Sequence, residues 1–162
     1  MERMEYCRLC KNEAELQWSH IIPLAYYRRA KRNSGGQLIS LRYDGESPPI
    51  KGNVDPKERL LCKSCEDHLS SSYEKYGTST LISSKSVVDW PDCIWIKRFQ
   101  YARAFLYFAS IIWRASVSRL DDVRNVTLGP KIEESLRGCI LKRDLRINKG
   151  RRLDDRLKIG LV

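Results

Sequence analysis

Two cysteine pairs, Cys7-x-x-Cys10 and Cys62-x-x-Cys65, carry the clearest chemistry in this 162-residue chain. Four thiolates in two such pairs match the four-coordinate, tetrahedral shell of structural Zn(II). Lys11 to Leu61 form a long insertion between the pairs, but loop-closure entropy grows only logarithmically with length, so both pairs can share one ion. The stretch CRLCKNEAELQWSHIIP also places His20, one of two histidines, shortly after the first pair. Three roles stay open for it: a further zinc ligand, a catalytic base, or a polar residue bonded at the edge of a small core whose neighbours Ile21 and Ile22 pack against the knuckle. Cys93 and Cys139 sit among apolar residues without ligand spacing and read as buried thiols.

Positioning these residues requires particular elements. The sequence EDHLSSSYEKY begins directly after Cys65 and places Leu69, Tyr73 and Tyr76 at helical offsets. A knuckle, a hairpin and a helix bearing the second pair make a treble-clef-like layout. Pro23 suits the first turn of a helix through LAYYRRAKR, whose Arg28, Arg29, Lys31 and Arg32 have no acidic neighbour. That face is either simply solvated or a phosphate-binding patch. Turn-rich stretches at 34–36, 44–49 and 51–56 predict a flexible inserted loop.

Farther on, Phe99, Ala102, Phe105, Leu106, Ala109, Ile112, Trp113 and Val117 recur with helical period and predict a helix over Phe99–Ser118 with one broad buried face. A second helix follows the TLGP punctuation, with Ile132, Leu136 and Ile140 on one stripe and Glu133 and Glu134 near its positive N-terminal end. The segment from Lys142 to Lys158, rich in Lys and Arg and including Lys149, Arg151 and Arg152, reads as a basic tail or a helix with a charged face. The expected fold is α+β and mostly helical: a ββα zinc finger with an inserted loop over 1–85, then a helical part with a basic C-terminal segment over 86–162.

The totals narrow the partners. Thirty Lys and Arg against twenty Asp and Glu give a formal charge of +10 and a pI near 9.5. This balance favours a polyanion, most simply nucleic acid. The N-terminus lacks a secretory pattern, and the longest apolar run, Ala104 to Trp113, is far too short to span a bilayer. A soluble, cytoplasmic protein without membrane association is expected, and reducing conditions there favour metal binding over disulfides for the cysteine pairs.

The combination of CRLC, SHIIP and LLCKSCE resembles the zinc-containing branch of the HNH, or His-Me finger, endonuclease superfamily. With SSYE and ASIIWRASVS (Ala109 to Ser118), it is similar to a group of HNH-like microbial and phage proteins, over roughly Cys7 to Ser118. The resemblance implies that His20 polarises the attacking water and that one Mg(II) or Mn(II) ion stabilises the leaving oxygen. Ser19 stands where the family usually has an acidic or histidine ligand, and Glu66 where a second histidine is expected. His68, two residues later, is a further candidate; Asn53 lies too far upstream to match the family's asparagine. Two functions follow: a metal-dependent DNA endonuclease using His20, Glu66 and His68, or an inactive scaffold that binds nucleic acid or a protein, such as a phage-type inhibitor of a host defence.

Overall fold

The computed structural model describes residues 4–40, 48, 50–51, 56–83, 87–91, 93–148 and 150–159. Strands β1 (Met4–Tyr6) and β2 (Glu13–His20) form an antiparallel hairpin. Their connection is pulled into a tight knuckle by Cys7 N–H donating to Asn12 O (2.9 Å) and Lys11 N–H donating to Cys7 O (2.9 Å). Lys11 closes that turn in the left-handed region, at φ 67°. Helix α1 (Leu24–Asn33) forms where expected, with Pro23 as its N-cap residue rather than in its first turn. Its Tyr26 ring stacks on Tyr107, with centroids 6.5 Å apart, so the aromatic side of α1 is docked while Arg28, Arg29 and Arg32 remain exposed.

Within the predicted inserted loop, β3 (Ile39–Ser40) pairs antiparallel with β4 (Ile50–Lys51); most of the turn-rich residues between them, Asn53 and the side chain of Cys93 lie outside the described residues. Strand β5 (Lys57–Cys62) then returns antiparallel to β2 and completes a sheet of order β1-β2-β5. Residue Leu60 is skipped in this pairing, since Trp18 opposes Arg59 and Gln17 opposes Leu61. The resulting bulge turns the next pairs of the ladder.

Helix α2 (Lys63–Leu69) starts on the second cysteine pair and continues through two π-helical stretches, Ser70–Glu74 and Gly77–Ile82. Leu69, Tyr73 and Tyr76 are buried on it, as their spacing predicts. The wide turns leave carbonyls for other donors, and Arg103 takes two of them, through Nε to Ser72 O (2.5 Å) and Nη2 to Ser71 O (3.2 Å). A short hairpin, β6 (Val87–Trp90) with β7 (Cys93–Ile96), precedes helix α3 (Tyr101–Val117).

The predicted α3 face needs correction. Phe99 is exposed because it precedes the helix, which begins at Tyr101, and Ala102 is exposed in its first turn, whereas Tyr107, Ser110 and Arg114 are buried with Phe105, Leu106, Ala109 and Trp113. Neighbouring elements cover α3 on more sides than a single apolar stripe requires. After a 3₁₀ turn at Asp121–Val123, helix α4 (Pro130–Lys142) opens with proline in its first turn and buries Leu136, Cys139 and Ile140. The basic segment is neither tail nor long helix. It forms a small hairpin, β8 (Arg146–Asn148) and β9 (Arg151–Arg152), capped by α5 (Leu153–Arg156).

The observed class is mixed, with helices around small antiparallel sheets. One buried cluster joins Leu9 from the knuckle and Leu16 and Leu60 from the sheet with Leu69, Tyr73, Phe105, Trp113, Leu136 and Leu153. Gly77 lets the second π-helical stretch approach α3, since a Cβ built there would collide with Cζ of the fully buried Tyr107. Alanine has the better helix propensity, so the substitution sets propensity against overpacking. We expect Gly77→Ala to lower stability by about 2 kcal/mol, the overpacking cost prevailing, as read by chemical denaturation. A more stable variant would show that Tyr107 yields.

Candidate metal centre and the adjoining polar cluster

Cys7 and Cys10 stand on the knuckle after β1, Cys62 ends β5, and Cys65 lies in the first turn of α2. The sulfurs of all four lie within 4.8 Å of one another. Cys10 Sγ and Cys62 Sγ are 3.8 Å apart, which is the edge of a tetrahedron whose Zn–S bonds are about 2.3 Å. Four cysteines are therefore placed to hold a metal ion, and the donor set is that of structural zinc. Cys7 is buried, and its sulfur accepts the backbone N–H of Cys62 at 3.3 Å. A hydrogen bond from Cys65, together with such backbone donors, pulls the Cys7 thiol down to about 4, whereas donating to Cys7 and burial push Cys65 up. A bound dication would hold all four as thiolates and remove this asymmetry.

The knuckle is also clamped from outside. Arg137 of α4 donates Nη1 to Leu9 O at 2.6 Å and is held by Glu134 at 2.6 Å. Arg8 N–H donates to Leu60 O at 3.1 Å, tying the knuckle to β5. The C-terminal half thus braces the metal end of the sheet.

Beside this centre lies a polar cluster. Ser19 is fully buried at the end of β2, and its hydroxyl donates to Glu66 Oε1 on α2. Burial raises the Glu66 carboxyl above its ordinary range, while the Ser19 bond, Arg114 and His20 oppose that rise. Arg114 of α3 is 1% exposed; Nη1 donates to Glu74 Oε1 (2.9 Å) and to the carbonyl of His20 (2.8 Å). The half-buried His20 is thus fixed by its backbone to a helix that the CRLC…SHIIP stretch does not contain.

The structure brings His20 and Glu66 into one cluster but turns His68 elsewhere. His68 Nε2 lies 2.9 Å from Ile140 O, its Nδ1 lies 3.4 Å from Arg143, and its ring meets Tyr73 edge-on. The neutral tautomer with the proton on Nε2 satisfies both contacts, so this imidazole joins α2 to the end of α4. Tyr73 donates its hydroxyl to the same carbonyl at 2.7 Å. Among the described residues, the cysteine quartet is the one group of three or more His, Cys, Asp or Glu side chains that converge as metal ligands.

The cationic candidates divide. Arg28, Arg29, Lys31 and Arg32 share α1, which carries no acidic residue. Arg152 is instead paired with Asp154 through two 2.9 Å bonds, Arg151 lines a groove on another face, and Lys149 lies outside the described residues. Sequence reasoning passed over Arg114 and Glu74. An arginine inside an otherwise apolar helical stretch was the available signal, since a buried guanidinium demands a buried carboxylate. Trp18 also emerges as a surface feature, 56% exposed with the Arg59 guanidinium 5.4 Å from its ring centroid. No protein-family profile matches the chain, and comparisons with curated proteins and with solved structures give no match. No described helix is long and apolar enough to cross a membrane.

Two outcomes follow. Cys62→Ser or Cys65→Ser, or removal of metal by a chelator, should unfold the sheet and knuckle, because structural zinc binding supplies on the order of 10 kcal/mol in small fingers. Metal content and circular dichroism of the same samples test this, and a metal-free protein with unchanged melting rejects it. Arg114→Met should cost about 3 kcal/mol at neutral pH, because Glu66 and Glu74 lose their cation. With its pKa raised, Glu66 takes up a proton early on acidification, so that penalty should shrink as pH falls. A penalty independent of pH would reduce Arg114 to a packing role.

Proposed function

We propose that the protein is a zinc-held, HNH-like ββα scaffold that binds nucleic acid, DNA favoured, and that the cluster around His20 is an internal clamp rather than a Mg(II) site. The observation that carries this reading is Arg114. Its buried guanidinium already supplies positive charge to Glu66 and Glu74. A divalent ion placed beside it would be repelled in a region of low effective dielectric. With His68 engaged at α4 and Glu74 paired with Arg114, Glu66 is the carboxylate candidate for such an ion next to Ser19, a poor ligand for a hard cation.

The order β2, β5, α2, with two cysteines before the hairpin and two at its end, supports the HNH-like resemblance of the CRLC, SHIIP and LLCKSCE words. The nucleic-acid reading is supported by the charge of +10 and by α1, which exposes Arg28, Arg29 and Arg32 on a helix without carboxylates. Long basic side chains on such a face meet phosphates without reading bases. A second reading, a single-metal endonuclease, is favoured by one observation, that His20 and Glu66 share a cluster close enough for His20 to affect the Glu66 carboxyl. In it, Glu66 would hold Mg(II) or Mn(II) and His20 would accept the proton of the attacking water.

Plasmid incubation with Mg(II) or Mn(II), and anisotropy of labelled duplex DNA, single-stranded DNA and RNA across a salt series, separate the readings. We expect binding without nicking, and Arg28→Glu combined with Arg32→Glu should reduce the salt slope by about 1.8 as two phosphate contacts are lost. Nicking that disappears in His20→Ala would replace this reading with the endonuclease. Absence of binding to all three polymers would reject the nucleic-acid assignment.

A further inference from the structure

We infer that the groove formed by α4, the β8–β9 hairpin and α5 receives an acidic segment of a partner protein, anchored by one bulky apolar side chain. The groove has a volume of about 300 Å³ and an aliphatic floor of Ile132, Ile147, Leu153 and Leu157. Ile132 belongs to the stripe that buries Leu136 and Ile140, yet it is 44% exposed at the first turn of α4. Lys131, Arg151 and Arg156 line the rim from three different elements, and among the described residues no carboxylate lines it with them.

The chain's own acids explain this imbalance. Asp144 is bound to Arg146, Asp154 to Arg152, and Asp155 accepts the backbone N–H of Arg152 at 3.1 Å. Among the described residues, no carboxylate pairs with Lys131, Arg151 or Arg156. Three spaced cations around an apolar hollow complement several spaced anions flanking an apolar group. A peptide with carboxylates on either side of a leucine satisfies all three, whereas a single fatty-acid carboxylate satisfies one. The volume is at the lower end of small-molecule sites and suits an anchoring side chain. Nucleic acid fits less well, because the floor presents no aromatic face on which a base could stack. An anionic membrane fits less well too, since the apolar residues lie in a hollow rather than on a protruding face.

The test uses the zinc-loaded full chain and the fluorescein-labelled peptide DDELLEDD. Expected is saturable binding that weakens about tenfold when the two leucines become glycines, and at least about tenfold in Arg151→Glu combined with Arg156→Glu. Ile132→Ser should weaken it without lowering the salt dependence, and Arg28→Glu with Arg32→Glu should leave it unchanged, which separates this groove from the nucleic-acid reading. Unaltered melting of each variant confirms that the fold is retained. The inference is overturned by equal binding of the glycine peptide, by indifference to the rim variants, or by no binding at about 1 mM peptide. Displacement by dodecanoate or phosphatidylserine vesicles below the peptide's own concentration overturns it in favour of a lipid.

Discussion

Four sulfurs drawn from a knuckle and a helix start set the geometry of this molecule. The knuckle after β1 and the strand-to-helix junction at Cys62 are remote in sequence, yet their thiols meet within 4.8 Å. Bringing them together orders β2 against β5 and fixes where α2 begins. Thiolates repel one another and are costly to bury, and a cation at the centre would relieve both costs. Ser19 and His20 at the end of β2, and Glu66 one residue after Cys65, inherit their positions from that junction.

A second constraint comes from α3. Arg114 crosses from the helical half of the molecule to Glu74 on the π-widened helix and to the carbonyl of His20 on the sheet. Its charge is tolerated in the interior because Glu74 and the His20 carbonyl bind it and Glu66 interacts with it electrostatically, and removal of Glu74 would leave the guanidinium without its ion pair. The same guanidinium offsets part of the carboxylate charge in the cluster, and its positive charge opposes a second cation beside it.

Surface charge is distributed by an analogous rule. Asp144, Asp154 and Asp155 occupy nearby arginines in the C-terminal hairpin, so the high local count of basic residues overstates the free positive charge there. Helix α1 itself carries no acid, and Arg28, Arg29 and Arg32 are exposed while Tyr26 packs inward on Tyr107. Two basic segments that look alike in composition therefore differ in kind. One is an exposed cationic helix, and the other rims an apolar groove.

The sequence alone determined the four cysteines that converge as a possible metal site, the helix on the second cysteine pair, the helices that follow or open on Pro23 and Pro130, and the burial of Leu136 and Ile140 though not of Ile132 on the same stripe, because each rests on local spacing or backbone preference. It misjudged the edges of the α3 face, since Phe99 and Ala102 follow the period but precede the helix or fall on its open side. It gave no account of what His68 touches, because Ile140 lies 72 positions away. Only tertiary structure decided that His68 joins two helices, that Arg114 supplies the charge beside Glu66, and that Arg151 borders an apolar hollow. Those outcomes depend on which remote side chains share a low-dielectric space, and no local pattern encodes that.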